Sequence, residues 1–297
     1  MQGTLSIVGA GRVGRALGRR LRERGWKIGA VVTRSMASSR RAVRAIGGGQ
    51  ARTAIFTDVW LARIILITTP DSAVAQVAAD LARAAGPELR GKVVLHTSGA
   101  LDSRVLSPLK AAGAAVGTMH PLQSFSGVGV PPLEGKVFAI EGDATAVRAA
   151  RSLIRSLDGL PVQISSSSKP RYHAAATMAA GHVLAVMEAA VRLLMDIGMK
   201  RREATRALMP LTNQVLANFE RLGPRLAWTG PLSRGDYDVI ASHLTALHEF
   251  RPEYEDAYDS LNRLGAHVLA SDAGAVQAEL DRIYSKRTKS KATGGQG

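Results

Sequence analysis

Near its start the chain carries the segment LSIVGAGRVGRALGRRL, in which three glycines follow an apolar run with the spacing G-x-G-x-x-G. The apolar run at residues 5–8 predicts a buried strand, and residues 13–24 have the periodicity of an amphipathic helix. A glycine turn that joins a strand to a helix is typical of a β-α-β unit. Because such a unit packs its helix against a parallel sheet, the N-terminal half is predicted to be an α/β domain.

The same alternation continues through the first half of the chain. Short apolar or β-branched runs predict strands at residues 5–8, 28–33, 64–68, 93–96, 115–119 and 137–140. The segments between them predict helices at residues 13–24, 38–46, 72–85, 101–112 and 144–157. Strand and helix in regular succession predict a doubly wound parallel sheet with helices on both faces.

The second half of the chain has a different character. From Pro170 to about Tyr284 nearly every segment has a helical pattern, and the serines of residues 165–168 suit the start of a helix. We therefore predict an α/β domain at residues 1–163, an all-helical domain at 164–286 and a disordered basic tail at 287–297. The apolar stretch 174–191 contains His182 and Glu188, so we predict a buried helix rather than a membrane span.

Composition narrows the function classes. The 297 residues suit two domains, and the absence of cysteine excludes disulfides and thiolate zinc sites. The net charge of +15 is compatible with nucleic-acid binding, but aromatic residues make up 4% of the chain, so stacking platforms are scarce. Attraction to small anions explains the charge better.

No metal-ligand spacing is present among the histidines. We expect a soluble, cytoplasmic protein, because the glycine loop leaves little room for a signal peptide.

The glycine loop itself has the features of a dinucleotide cradle. Gly9 permits the tight turn, Gly11 allows a pyrophosphate to approach the backbone, and Gly14 lets the helix pack on the strand. The helix N-terminus then offers free N–H groups to the anion. The predicted cofactor-binding residues of the loop are Gly9, Ala10, Gly11, Arg12, Val13 and Gly14.

The end of the second strand indicates which dinucleotide is bound. NAD-binding domains usually place an acidic residue there for the ribose 2′-hydroxyl, whereas this chain has Thr33, Arg34 and Ser35. A guanidinium binds a 2′-phosphate that a carboxylate would repel, so Arg34 and Ser35 predict NADP(H). The alternative is that Arg34 is one of many surface charges.

Polar residues follow three further strands, where ligands bind in open α/β sheets. Thr69 and Pro70 either contact the cofactor or simply begin a helix. Residues 96–99, with the sequence HTSG, directly follow an apolar strand and so would lie against the cofactor. His120, at the end of the next strand, is a candidate for the substrate site; the alternative is that it only bonds the backbone. In the helical half, Lys169 and His173 are four residues apart and so can share a helix face. Together they could protonate a carbonyl oxygen; the alternative is an exposed lysine beside a core histidine.

With this N-terminal fingerprint, the motifs HTSGAL, HPLQSF, KPRYHAAA, LTNQVLANFERLG and WTGPLSRGDYDVIASHL make the chain resemble Rossmann-like proteins with a DUF2520 C-terminal domain. That family belongs to the 6-phosphogluconate dehydrogenase-like superfamily. It is similar at greater distance to β-hydroxyacid dehydrogenases, ketopantoate reductases and pyrroline-5-carboxylate reductases. The resemblance implies a Rossmann domain followed by a 6-phosphogluconate dehydrogenase C-terminal-like helical domain, and pairing of two copies through the helical domains.

The resemblance also implies roles for individual residues. Ser98 and Gly99 would bind a substrate carboxylate, and Lys169 would be the general acid, with His173 where the relatives carry Asn. In the second half, Arg234, Asp236 and His243, with Thr229, would line the substrate site. The alternative for the first two is an ion pair that shapes a turn. Where family members carry Ser-Asn, this chain has Ala180 and Gly181.

These observations predict an NADP(H)-dependent oxidoreductase that reduces a small carbonyl compound, a 2-oxo acid similar to ketopantoate. Lys169, assisted by His173, would protonate the oxygen, and Ser98 with Arg234 would hold the carboxylate. The alternatives are an imine reductase, and a sensor that binds NADP without turnover. Replacement of Lys169 separates the sensor from the enzyme, because it should abolish turnover and spare cofactor binding only in the enzyme.

Overall fold

The computed structural model describes residues 3–54 and 57–293. Within these residues the first half of the chain forms an eight-stranded sheet with the strand order β3-β2-β1-β4-β5-β6-β7-β8. The strands are β1 (Thr4–Val8), β2 (Lys27–Val32), β3 (Gln50–Arg52), β4 (Ile64–Ile67), β5 (Val93–His96), β6 (Ala115–Pro121), β7 (Val137–Gly142) and β8 (Leu160–Gln163).

Helices connect most of these strands and then make up the rest of the chain. Those of the first part are α1 (Arg12–Glu23), α2 (Met36–Ile46), α3 (Thr57–Trp60), α4 (Asp71–Ala85), α5 (Ser107–Ala111), α6 (Ala144–Ser156) and α7 (Lys169–Thr177). Those that follow are α8 (Val183–Asp196), α9 (Arg201–Leu222), α10 (Pro224–Ala227), α11 (Pro231–Arg234), α12 (Tyr237–Phe250), α13 (Pro252–Leu269) and α14 (Ala273–Thr293).

The sheet is buried on both faces, which explains its apolar strands. Ile64 and Leu66 of β4 belong to one apolar core, and Ile65 and Ile67 of the same strand belong to another. Since side chains alternate along a strand, these cores lie on opposite faces of the sheet. Strands covered by helices on both sides have near-continuous apolar sequences, as β4 does.

The strand order reverses direction beside β1. From β1 the chain proceeds outward to β2 and β3, and then returns to place β4 on the other side of β1. The carboxyl ends of β1 and β4 therefore flank a crevice, the usual ligand position in an open α/β sheet. This confirms the predicted Rossmann-type sheet, followed by a helical region.

The sheet differs from the prediction at its edges. β7 pairs antiparallel with β6, because the segment between them is a loop without a crossover helix. Two edge strands were not predicted. β3 is three residues long and polar, and β8 contains Pro161, a residue found in sheets mainly at edges. Neither has an apolar alternation to reveal it.

By packing, the chain divides into a first unit that ends at His182 and a second unit that begins at Val183. The predicted boundary at residue 163 coincides instead with the end of β8. α7 therefore belongs to the first unit, where Lys169 is buried. The second unit has its own small core around Ile240, Leu244 and Leu280. Helix α14 extends to Thr293, so the backbone of the predicted tail is helical up to there, and residues 294–297 lie outside the described part.

The apolar stretch 174–191 was predicted as a buried helix, and this is wrong for the chain as described. A π-helical turn at Met178–His182 joins α7 to α8, and Val191 is the first buried residue after Lys169. The helix Ser166–Asp196 is long and apolar enough to cross a membrane by length and composition, with a mean hydropathy of 1.5. Within the described residues most of its apolar side chains are exposed, although α8 packs along α9.

Candidate functional site

The glycine loop has the geometry of a phosphate cradle. Gly9 adopts φ +91°, a left-handed conformation, and a Cβ there would lie 2.7 Å from the backbone nitrogen of Thr69. A Cβ on Gly14 would overlap the hydroxyl of Thr68 and crowd Ile7. Gly11 differs, since a Cβ there would meet only the Gly9 carbonyl oxygen at 3.9 Å. The backbone at Gly11 is therefore open to an approaching ligand at the start of α1.

The end of β4 completes this crevice. The hydroxyl of Thr68 donates to the carbonyl oxygen of Gly9 at 2.8 Å and so ties the loop to β4. The next residue, Thr69, has a buried Oγ1 without a hydrogen-bond partner among the described residues. Because an unpaired buried hydroxyl is costly, a ligand in the crevice is the natural partner for it. Pro70 directly precedes α4, so it shapes the helix start as well.

Arg34 lines a pocket of about 510 Å³ beyond the carboxyl ends of β1 and β2, together with Gly9, Thr33 and Thr69. Its exposed guanidinium makes no hydrogen bond or ion pair within the part of the chain that the structure describes, so it is available for an anion. Ser35, in contrast to Arg34, has a hydrogen-bond partner within the chain. Its hydroxyl caps α2 by accepting from the Ser38 backbone N–H. The open backbone of Gly11, the orphaned Thr69 hydroxyl and Arg34 fit a phosphorylated dinucleotide.

Lys169 lies at the same edge of the sheet, at the first position of α7, and its side chain is 1% exposed. Its Nζ donates to the carbonyl oxygen of Ser98 at 2.9 Å and to the hydroxyl of Thr118 at 3.3 Å. Ser98 follows β5 and Thr118 lies in β6, where it pairs with His96. The alternative considered from the sequence, in which Lys169 is an exposed lysine, is therefore wrong.

Burial lowers the pKa of Lys169 to about 8. The charges of Glu141, Asp102 and Asp71 oppose this effect and favour the ammonium form. A group with a pKa near the working pH can donate a proton and regain it without a large free-energy cost. Lys169 is therefore chemically suited to general acid catalysis.

His120 and His173 converge on Gly99. A Cβ on Gly99 would lie 2.5 Å from Nδ1 of His173 and 2.8 Å from Nε2 of His120, so any larger residue here would displace the two imidazoles. Nδ1 of His173 is buried and has no partner in the described chain. His120 forms a 2.7 Å hydrogen bond with the hydroxyl of Tyr172 through Nδ1. Burial lowers the pKa of His120 to about 4 and raises that of Tyr172 to about 12, so both are neutral near pH 7.

His96 and Ser98 shape the loop that carries Gly99. Nδ1 of His96 accepts from the Ser98 backbone N–H at 3.2 Å, and Nε2 contacts the Asp102 carbonyl oxygen at 3.1 Å. The imidazole therefore carries its proton on Nε2, and it is fully buried. The Ser98 hydroxyl accepts from two backbone N–H groups, of Ala100 and Leu101. Its hydrogen remains able to donate to a further acceptor.

The remaining predicted residues belong to the second unit. Arg234 and Asp236 form an exposed ion pair at 2.8 Å around the turn between α11 and α12. His243 of α12 forms a 2.8 Å hydrogen bond with the hydroxyl of Tyr258. The ion pair matches the turn-shaping alternative, and a substrate role for these three residues stays a prediction.

Sequence reasoning missed three residues of the first unit's site: Thr118, Glu141 and Tyr172. Tyr172 stands inside the KPRYH motif, next to His173, so its proximity could have been noticed. Thr118 and Glu141 have no local signal, because only strand pairing brings them together. No group of three or more His, Asp or Glu side chains suited to a metal ion occurs among residues 3–54 and 57–293.

Two protein-family models match the chain. Residues 2–121 match the model of a Rossmann-like domain, and residues 136–264 match a domain of unknown function, DUF2520. No curated protein matches the chain.

Solved structures share the fold. A protein from Bacteroides fragilis, provisionally named an NADP oxidoreductase, has 21% identity and a TM-score of 0.71, with 88% of this chain and 97% of that one covered. A Thermotoga maritima protein has 24% identity and a TM-score of 0.65, with 88% and 96% covered. A reductive aminase from Aspergillus terreus, solved with NADPH and ethyl-5-oxohexanoate, has 16% identity and a TM-score of 0.62, with 97% and 95% covered. With both domain models matched in this order, the chain belongs to the proteins that combine a Rossmann-like domain with a DUF2520 domain.

Proposed function

We propose that this protein is an NADP(H)-dependent oxidoreductase that reduces the carbonyl group of a small 2-oxo acid similar to ketopantoate. The observation that carries the proposal is the buried ammonium of Lys169, held at the sheet edge where the glycine loop also lies. A buried charge is costly unless it is paired, so the buried ammonium of Lys169 needs an explanation. Its position at the sheet edge of the dinucleotide-type crevice supports a role as proton donor.

Bound NADPH would supply the hydride that the carbonyl carbon receives. The glycine loop and Arg34 would bind its pyrophosphate and 2′-phosphate. Lys169 would give one proton from Nζ to the carbonyl oxygen and become a neutral amine, which solvent protonates again. His173, one helical turn along α7, offers Nδ1 as a second hydrogen-bonding group for the substrate oxygen.

The substrate carboxylate would be bound by the Ser98 hydroxyl and the Gly99 backbone, with neutral His120 as a further partner. Arg234 of the helical domain would be the cationic partner of the substrate carboxylate. Asp236 and His243 would line the substrate site with it. These assignments follow the family resemblance, and the free hydrogen of Ser98 supports the first of them.

We further propose that the protein is cytoplasmic and forms a homodimer through its helical domain. Apolar side chains stand exposed on two packed helices: Val183, Leu184 and Val186 on α8, and Met209, Leu211, Val215, Leu216, Phe219 and Leu222 on α9. Exposed apolar side chains on neighbouring packed helices are typical of an interaction site.

A paired titration with NADPH and NADH tests the cofactor. Wild-type protein should prefer NADPH, and Arg34→Ala should weaken NADPH binding by about tenfold or more while NADH binding changes little. Arg44→Ala is the matched control, because it removes the same charge from an exposed position on α2. Equal loss of both cofactors in Arg34→Ala would refute the 2′-phosphate role.

Lys169→Met tests the chemistry. NADPH oxidation with 2-oxo acids should fall by about 10²-fold to 10⁴-fold, while NADPH still binds. Wild-type protein that binds NADPH but oxidises it with neither 2-oxo acids nor imines would be a sensor. Turnover of imines alone would make it an imine reductase.

A further inference from the structure

We propose that Glu141 is a positioning residue, which holds Lys169 against Ser98 by binding the two chain segments that carry them. The inference deepens the proposed function and rests on it for the role of Lys169.

Glu141 is a buried carboxylate in β7, with 5% of its surface exposed. Its Oε1 accepts from the hydroxyl of Ser103 at 2.5 Å and from the hydroxyl of Ser166 at 2.8 Å, and its Oε2 accepts from the Ser103 backbone N–H at 2.9 Å. Three hydrogen bonds satisfy a carboxylate that would otherwise be costly to bury.

The two serines belong to the two sides of the Lys169 contact. Ser103 lies five residues after Ser98, in the segment that follows β5. Ser166 lies three residues before Lys169, in the short 3₁₀ turn that leads into α7. The carboxylate of Glu141 thus joins the segment that carries Lys169 to the segment that carries Ser98. This link fixes how closely Nζ of Lys169 approaches the Ser98 carbonyl oxygen.

Strand pairing brings Glu141 next to the ammonium itself. Glu141 of β7 pairs directly with Thr118 of β6, so their side chains project from the same face of the sheet. The Thr118 hydroxyl lies 3.3 Å from Nζ of Lys169. The negative charge of Glu141 is therefore close enough to stabilise the ammonium form, and it is the largest of the effects that oppose burial.

Other ionisable groups also face Lys169, and they limit the effect of a single substitution. They are Asp102 after β5, Asp71 at the start of α4, His96 of β5, His120 of β6 and, on its own helix, His173. The two carboxylates among them keep part of the stabilisation when the charge of Glu141 is removed.

Glu141→Gln is the test variant, since it removes the charge and leaves one acceptor oxygen. Ser166→Ala is the milder second variant, because it removes one tether from a polar turn. Asp143→Asn is the matched control. Asp143 is also a carboxylate at the end of β7, and it binds Lys110 and the Val116 backbone instead of the site.

The readout that does not require turnover is an NMR titration of protein labelled with ¹³C at lysine Cε, with the Lys169 signal identified by its absence in Lys169→Met. In Glu141→Gln the pKa of Lys169 should fall by about one to two units, and in Asp143→Asn it should stay at the wild-type value. An unchanged Lys169 titration in Glu141→Gln would overturn the electrostatic part of the proposal.

Kinetics test the positioning part. With NADPH and a 2-oxo acid, Ser166→Ala should lower kcat by about tenfold at constant KM for NADPH, and Glu141→Gln should lower it further. In Glu141→Gln the loss of activity at high pH should also begin at lower pH. Unchanged kcat in both variants would refute positioning. If wild-type protein turns over no carbonyl substrate, the proposed function fails, while the NMR titration still decides the influence of Glu141 on Lys169.

Discussion

Lys169 Nζ donates a 2.9 Å hydrogen bond to the carbonyl oxygen of Ser98, across 71 residues of sequence. The contact fixes the start of α7 to the loop after β5, and it places a cation at the carboxyl end of β5, beside Thr118 of β6. Because Lys169 is almost fully buried, the protonation of its ammonium group should depend on pH near neutrality. A side chain larger than hydrogen at the neighbouring Gly99 would crowd the imidazoles of His120 and His173. Both properties lead to measurable expectations.

Carbonyl reduction should decrease as the pH rises through about 8. Burial lowers the pKa of Lys169 to that value, so the proton-donating form is present below it and is lost above it. The measurement is kcat for NADPH oxidation across this range, with the Kd of NADPH determined at the same pH values. A kcat that stays constant well above pH 8 would contradict Lys169 as the acid.

Gly99→Ala should reduce turnover by about 10²-fold without abolishing NADPH binding, because the added methyl group would displace the imidazoles of His120 and His173. The matched control is Gly265→Ala in α13, where a Cβ meets nothing within 4 Å. Alanine favours a helix interior over glycine, so this control should be stable and active. Turnover in Gly99→Ala equal to that of the control would show that the two histidines do not contact the substrate.

The first unit should lose stability in mild acid through His96. Burial lowers the pKa of this imidazole to about 4, so between about pH 6.5 and pH 4 the unfolded chain binds a proton that the folded chain does not. The stabilisation is complete above pH 6.5 and declines as the pH falls, by about 2 kcal/mol between pH 7 and pH 5.

Urea unfolding measures this effect, with the fluorescence of Trp26 and Trp60 followed in a Trp228→Phe background so that the signal comes from the first unit. His96→Gln should show a smaller loss between pH 7 and pH 5 than the background protein, although it starts from lower stability. His267→Gln changes an exposed histidine of α13 and should leave the loss as it was. Equal losses in His96→Gln and in the background protein would contradict the assignment.

The exposed apolar side chains of α8 and α9 should be buried against a second copy of this chain. Wild-type protein is expected to sediment as a dimer, and Leu216→Glu with Phe219→Glu should weaken association by about tenfold or more, because a charge would enter an apolar contact. Leu61→Glu is the control, since Leu61 is 76% exposed and lies in the first unit. A wild-type monomer at all concentrations tested would rule out the homodimer.

The sequence alone determined the fold class and the glycine loop, because both depend on local patterns. The G-x-G-x-x-G spacing specifies a turn between one strand and the next helix, and the residues that follow β2 lack the acid that NAD would require. Strands β4 and β5 were predicted almost to the residue, since strands buried on both faces are continuous apolar runs.

Tertiary structure decided the rest of the site. Thr118 and Glu141 become neighbours only because β7 turns back antiparallel to β6, and no short-range pattern in the sequence encodes that pairing. The burial of Lys169 likewise depends on the packing of α7 with the sheet-bearing unit, beyond the boundary that composition indicated. The apolar helix after it was predicted as buried and is exposed, because an apolar sequence does not specify whether its own chain or another one covers it.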